Sequence, residues 1–456
     1  MRIVSRNPYT GQVLEELDAM SFEDGAREIL GVRKAFLSWK KASVQERAGI
    51  LRAVSRRLRD QQRILAETIT REMGKPIGQS LAEIEKCAWL SDHFAENSGK
   101  LLQDEMVPTD ALKSYIALEP LGVILGIMPW NFPFWQVFRF AIPALMAGNV
   151  CVLKHASNVP LTALAVEKLF RESGLPDHVF KTLLLDSRAA MQLVERELVD
   201  GVSLTGSVEA GAQVAALAGQ HIKKFVLELG GSDPFIVLED ADIPKTARMA
   251  LQARMINGGQ SCIAAKRFIT LGTTSKPFTE ALKRELDTVK MGDPMDPATT
   301  MGPLAKQEFV GVLAGQLEDA ERKGARIFYG PPTPPGKGFF FRPALVTDVR
   351  PDMRVVSEEV FGPILPVLVA ENEALVVEMA NASAYGLGAS IWTRNLARAE
   401  KLARQLEVGF VAVNDMVKSD PRLPFGGIKK SGIGRELSPY GLKEFMNIKS
   451  VVIKGA

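Results

Sequence analysis

Gly201-Val-Ser-Leu204-Thr-Gly-Ser207-Val208-Glu-Ala-Gly-Ala-Gln-Val-Ala-Ala-Leu-Ala218, followed by Ile222-Lys-Lys-Phe-Val-Leu227, is the stretch that decides the fold. A short apolar strand gives way to a helical pattern over Val208–Ala218, and a second apolar strand follows. The same alternation lies upstream, in the strands Val150–Leu153 and Val179–Leu185 around the helical segment Leu161–Phe170. Strands separated by helices of this size imply βαβ units and a parallel sheet. Gly122–Met128 reads as one more buried strand of that sheet. A second series opens at Phe235–Leu238 and continues through a helix around Ala247–Met255 to a strand at Arg267–Leu271. Residues 25–73 carry apolar positions at helical spacing, among them Ile29, Val32, Phe36, Ile50, Val54 and Leu58. Ser114–Leu118 alternates like a two-faced strand, and the Pro-rich run Gly330–Gly336 reads as a surface loop. The fold class is α/β.

With 456 residues, 46% apolar and 24% charged, the composition is that of a globular chain. That length exceeds what one core usually supports, so two or three domains are expected. A net charge of +3 argues against nucleic acid as the main partner. The three cysteines, Cys87, Cys151 and Cys262, are too few and too scattered for a disulfide framework and suit a reducing compartment. None of the four histidines stands in a metal-ligand spacing, so no metal site is expected. With no apolar leader at the N-terminus and no run of membrane-spanning length, a soluble cytoplasmic enzyme is the expectation.

Two segments carry the chemistry. Leu227-Glu228-Leu-Gly-Gly-Ser232 offers one carboxylate at a strand end, and Asn257-Gly-Gly-Gln-Ser-Cys262 puts one thiol after a glycine-rich turn. Backbone N–H groups in such a turn lower a thiol's pKa, and the thiolate is the nucleophilic form. A carboxylate within reach would deprotonate the thiol or a water. Taken singly, the bland readings win, since most cysteines are buried hydrophobes and a Glu before Gly-Gly is an ordinary strand end. Thr205-Gly206-Ser207 opens a helix whose free N–H groups suit a pyrophosphate, although Ser is also a common N-cap. Asn131, in Met128-Pro-Trp-Asn-Phe-Pro133, is either an Asx turn or an amide donor to a developing oxyanion.

The ordered set resembles the aldehyde dehydrogenase superfamily over nearly the whole chain. It comprises Pro129-Trp-Asn-Phe-Pro133, Val152-Leu-Lys154, Thr205-Gly-Ser207, Glu228-Leu-Gly-Gly231, Gly259-Gln-Ser-Cys262, Glu358-Glu-Val-Phe-Gly-Pro363 and Pro424-Phe-Gly-Gly-Ile-Lys-Lys-Ser-Gly432. The resemblance implies a Rossmann-like cofactor domain (residues 1–101 and 121–229), an α/β catalytic domain (230–431) and a small β oligomerisation arm (102–120 and 432–456). It implies Cys262 as nucleophile, Glu228 as general base, and Asn131 with the Cys262 N–H as oxyanion hole. It places Lys154, Ser157, Trp130, Gly206, Ser207, Glu359 and Phe361 against a nicotinamide dinucleotide. Ser114–Leu118 and Ile448–Ile453 become arm strands of a homodimer or a dimer of dimers.

Two departures sharpen the expectation. Many NAD-preferring relatives have Glu three residues after the motif lysine, where this chain has Ser157, which removes a repulsion against a 2′-phosphate. NADP is therefore the expected cofactor, with NAD tolerated. His155 replaces the family's common proline, and a structural role is expected for it. Trp135 and Arg139 stand four apart on one helix face just after Asn131, so both should line the aldehyde tunnel. Succinate-semialdehyde dehydrogenases resemble this chain in carrying Arg there, and a guanidinium suits a carboxylate, with Ser419 as its hydroxyl partner. The competing reading of Arg139 is a structural salt bridge. The expected reaction is oxidation of succinate semialdehyde, or a close ω-oxo acid such as glutarate semialdehyde. The alternatives are a general aliphatic aldehyde, a CoA-acylating branch, a cysteine-dependent hydrolase and a silent relative.

Overall fold

A computed structural model describes residues 2–336 and 338–455. Its first sheet has the order Gly432–Ile433, Lys224–Glu228, Gly201–Thr205, Val123–Met128, Val150–His155, Phe180–Thr182. All neighbours are parallel except the antiparallel Gly432–Ile433. Every residue of Val150–His155 and Gly201–Thr205 is buried, as strands covered on both faces must be. From Val123–Met128 the chain builds outward to one side, then returns to place Gly201–Thr205 on the other. That reversal is a topological switch point, and the crevice beyond the carboxyl ends of these strands is where such sheets take ligands. The turn after Met128 and the Thr205–Ser207 segment both lie there.

The second sheet has seven strands: Arg326–Tyr329, Ala344–Thr347, Ile364–Ala370, Ala265–Leu271, Asp233–Val237, Gly388–Trp392 and Phe410–Val413. Phe235 anchors its core, with ring centroids 5.3 Å from Phe268 and 5.2 Å from Trp392. A third sheet pairs Met446–Ile453 with Lys113–Pro120 in antiparallel register, Ile448 opposite Leu118. These strands spend part of their pairing capacity on each other, which leaves Met446–Ile453 as an outer edge. Gly432–Ile433 belongs to the first sheet, so the 432–456 segment is shared between that sheet and the third.

The expected strand at Val179–Leu185 shrinks to Phe180–Thr182. An N-terminal hairpin, Arg2–Arg6 with Val13–Asp18, and a 25-residue helix, Ile77–Leu101, were not anticipated. That helix governs the site. Glu83 projects from it and accepts the N–H groups of Phe134 and Trp135, each at 2.9 Å, at the start of the fully buried helix Trp135–Met146. The helix has no side-chain cap of its own, so this carboxylate satisfies orphan donors at its positive end. The other Glu83 oxygen pairs with buried Lys75, whose ammonium lies 3.9 Å from the Phe132 ring centroid. The turn carrying Asn131 is thereby clamped. Glu83→Ala strips a buried ammonium of its partner, a change that costs roughly 3–5 kcal/mol. The thermal unfolding midpoint should fall by several degrees. An unaltered midpoint would refute the clamp.

Candidate active site

Asn257, Gly258 and Gly259 all take positive φ (54°, 61° and 79°), so the chain reverses tightly before Cys262. Gly259 is irreplaceable by geometry, since a Cβ there would lie 2.3 Å from the Gly362 carbonyl oxygen. The turn is tied down on every side. Asn131 Nδ2 donates to the Gln260 carbonyl at 3.1 Å, and Asn257 Nδ2 donates to the Asn131 carbonyl at 2.8 Å. Lys266 Nζ donates to the carbonyls of Ser261 at 3.0 Å and Cys262 at 2.6 Å. The Glu228 motif meets the same turn, because a Cβ on Gly231 would sit 2.6 Å from the Cys262 carbonyl oxygen. The Asn131, Glu228 and Cys262 motifs thus converge.

Their protonation departs from expectation. Cys262 is half-buried, and burial pushes its thiol up to about 11, although the cations of Arg139 and Lys266 pull the other way. The expected depression by turn N–H groups does not occur: desolvation dominates and nearby carboxylates add to it. Glu228 is buried at the end of Lys224–Glu228, with no hydrogen-bond partner for either carboxylate oxygen. Burial drives its pKa well above the carboxylate range, against the opposing pull of Arg139. Burial thus favours the neutral form of both groups over the charged one.

Arg139 is 2% exposed and pairs with Glu436, which is itself buried and accepts a further bond from Ser203 Oγ at 3.4 Å. Its guanidinium also sits 4.5 Å over the Phe425 ring. A guanidinium waiting for an anion was the expectation. Instead its charge is already answered within the protein, as the salt-bridge reading held. It nevertheless lines a cavity of about 1090 Å³, together with Cys262, Trp135 and Ser419. Ser419 Oγ accepts a hydrogen bond from Lys86 Nζ at 2.7 Å.

The residues expected beside a dinucleotide gather at the switch point and around Glu359. Lys154, next to last in its strand, has its ammonium 3.5 Å from Ser187 Oγ, and Ser157 is exposed in the following loop. Ser207 caps the helix Val208–Gln220 by accepting the Ala210 N–H at 3.2 Å, and Gly206 joins it to the strand. Glu359 accepts the Gly231 N–H at 3.0 Å and lies 3.2 Å from Lys266. Trp130 stacks on Phe309 at 5.1 Å and meets Phe361 edge-on at 5.9 Å. His155 is structural, as expected. Burial holds it neutral, down to about 4, and its Nε2 lies 2.9 Å from the Pro133 carbonyl, bracing the turn. Among the described residues there is no metal-ligating cluster and no helix long and apolar enough to cross a membrane.

Sequence reasoning missed Glu436, Lys266 and Lys86. The first two act through buried contacts that no local spacing signals, and the third sits on a helix whose face was not assigned.

The aldehyde dehydrogenase family profile matches residues 1–451. A probable succinate-semialdehyde dehydrogenase [NADP(+)] of Synechocystis is 45% identical over 453 residues, covering 99% of this chain and 100% of that one. Succinate-semialdehyde dehydrogenase [NADP(+)] 1 of Mycobacterium tuberculosis is 43% identical over 458 residues, with 99% and 100% covered. Among solved structures, succinic semialdehyde dehydrogenase from Streptococcus pyogenes in complex with NADP+ superposes with a TM-score of 0.97 at 35% identity, again over 99% and 100% of the two chains. On its fold, its converging motifs and these similarities, the chain belongs to the aldehyde dehydrogenase family.

Proposed function

We propose that this chain oxidises succinate semialdehyde, or a close ω-oxo acid, to the dicarboxylate with NADP as hydride acceptor. The observation that carries this reading is one cavity lined jointly by the thiol of Cys262 and by Arg139, Trp135 and Ser419. It gives the reactive sulfur and a polar, cationic wall to the same small molecule. The printed names of the relatives support the same substrate and cofactor.

The residues at the switch point fit a phosphorylated dinucleotide. Ser207 leaves helix N–H groups for a pyrophosphate, and Lys154 with exposed Ser157 offers a cation and a hydroxyl where a Glu would repel a 2′-phosphate. Glu359, anchored by Lys266 and the Gly231 N–H, is a fixed acceptor for a ribose hydroxyl, with Phe361 and Trp130 beside it. When bound, the nicotinamide accepts the hydride.

Everything else falls to the chain's own groups. The thiol of Cys262 gives its proton to water as its sulfur bonds to the aldehyde carbon. Asn131 Nδ2, with the Cys262 N–H, steadies the resulting oxyanion, an effect of about 3 kcal/mol for one such donor. After oxidation the acyl group remains on sulfur as a thioester. Glu228, whose raised pKa makes its ionised form a strong base, takes a proton from water, which attacks the thioester and frees Cys262. The outer edge of Met446–Ile453, with Ile448 and Val452 exposed, supports pairing with a second copy as a dimer or a dimer of dimers. The three free cysteines fit the cytoplasm.

NADPH absorbance at 340 nm should grow with succinate semialdehyde and vanish in Cys262→Ala, and its absence in the wild-type enzyme would overturn the reading. kcat/KM should favour NADP over NAD, and Ser157→Glu should lower the NADP value by at least about tenfold, equivalent to 1.4 kcal/mol. With the thiol near 11, the thiolate fraction of the free enzyme rises about tenfold per pH unit through the neutral range. Iodoacetamide should therefore alkylate Cys262 at a rate that climbs log-linearly between about pH 7 and 9.5. A plateau in that range would reveal a depressed pKa instead.

A further inference from the structure

The helix Ile77–Leu101 presents Gln79, Glu83 and Lys86 to the cavity wall at helical spacing. Most charged groups lining that cavity are already neutralised. Glu83 pairs with Lys75, and Arg139 pairs with Glu436. Arg248 lies 3.9 Å from Glu285, Lys418 lies 2.9 Å from Asp415, and Asp420 lies 2.6 Å from Arg422. Among the described residues, Lys86 alone on that wall has no carboxylate within ion-pair distance. It is nevertheless held in place. Its ammonium donates to Ser419 Oγ at 2.7 Å and lies 4.4 Å from the Trp135 ring centroid, both of which also line the cavity.

We propose that Lys86, positioned by Ser419 and Trp135, is the charge that anchors the carboxylate of the substrate and sets the preference for ω-oxo acids over uncharged aldehydes. This assignment rests on the reading of the cavity as an aldehyde site and names the group that recognises the far end of the substrate. The donor chemistry suits it. An ammonium has three N–H donors and Ser419 takes one, and the Ser419 hydroxyl, having accepted that bond, still has its own proton to give to a carboxylate oxygen. Arg139 contributes to the same wall, but an anion there meets a guanidinium already shared with Glu436. The electrostatics agree with a site awaiting an anion. Burial and the Arg139 charge press the Lys86 pKa down to about 8, and nearby Cys87, Glu83 and Asp420 only partly oppose this. A bound carboxylate would relieve that cost.

The test compares succinate semialdehyde with butanal, a carbon chain of equal length without the carboxylate, using the full-length enzyme and saturating NADP. Lys86→Met should raise KM for succinate semialdehyde about 20-fold, with kcat and the butanal KM each within about threefold of wild type. Lys86→Arg should restore most of the affinity, since it keeps the charge. A succinate semialdehyde KM unmoved in Lys86→Met, or equal rises for both aldehydes, would overturn the anchor while leaving the substrate reading intact. A wild-type enzyme that does not distinguish the two aldehydes would overturn both. Should Lys86→Met yield too little folded protein, competitive inhibition by succinate decides the point. Inhibition about tenfold weaker in Lys86→Gln than in Lys86→Arg supports the anchor, and equal inhibition sinks it.

Discussion

Gly231 lies against the carbonyl oxygen of Cys262, with no room for a Cβ between them. That contact is where the end of the first sheet and the turn entering the second are welded together. Glu228 ends a strand of the first sheet and Cys262 lies in the turn before a strand of the second, so their approach depends on this seam. The neighbouring bonds brace it. Gly231 N–H is fixed on Glu359, Glu359 faces Lys266, and Lys266 in turn holds the carbonyls of Ser261 and Cys262. One buried lysine thus spans the Glu359 carboxylate and the backbone of Cys262. Its ammonium has three donors for three oxygens, so little is left unsatisfied in a dry environment.

The same dryness governs the charges. Desolvation pushes the thiol and Glu228 toward their neutral forms, and Arg139, poised between Glu228 and Glu436, is the main counterweight. A site built this way biases both groups toward their neutral forms. The Arg139–Glu436 pair also explains why a guanidinium is tolerated in a fully buried helix, because a lone one would be very costly there. Ion pairs of this kind are weak evidence for stability but strong evidence for fixed geometry. The helix Trp135–Met146 is pinned at its start by Glu83 and again at Arg139.

Much of this was legible from the residues. The alternation over Val150–Leu227 specified the parallel sheet because strands buried on both faces must be apolar throughout. Cys262, Glu228 and Asn131 stood out because each is a reactive or polar side chain in a glycine- or proline-marked turn. Arg139 was legible as a residue facing the cavity, but not as half of an ion pair, because Glu436 arrives from a segment with no local relation to it. The thiol's pKa was misread for a related reason. The turn is visible in sequence, whereas burial is a property of everything packed around it. Lys86 was invisible, since a lysine on a charged helix carries no mark until the groups that leave it unpaired are known.

The strand Gly432–Ile433 joins the first sheet from far along the chain. Ser431 Oγ bonds to the Gly230 carbonyl, 201 residues away along the chain, and the Leu229 N–H meets the Ser431 carbonyl at 2.8 Å. Glu436 follows just behind. A nascent polypeptide still short of this segment already holds the reactive sulfur but lacks the edge strand and the counter-ion that complete its surroundings. A contact of such sequence separation carries a loop-closure cost that local pairings do not. The surroundings of that sulfur are therefore complete only once residues 431–436 have docked on the first sheet.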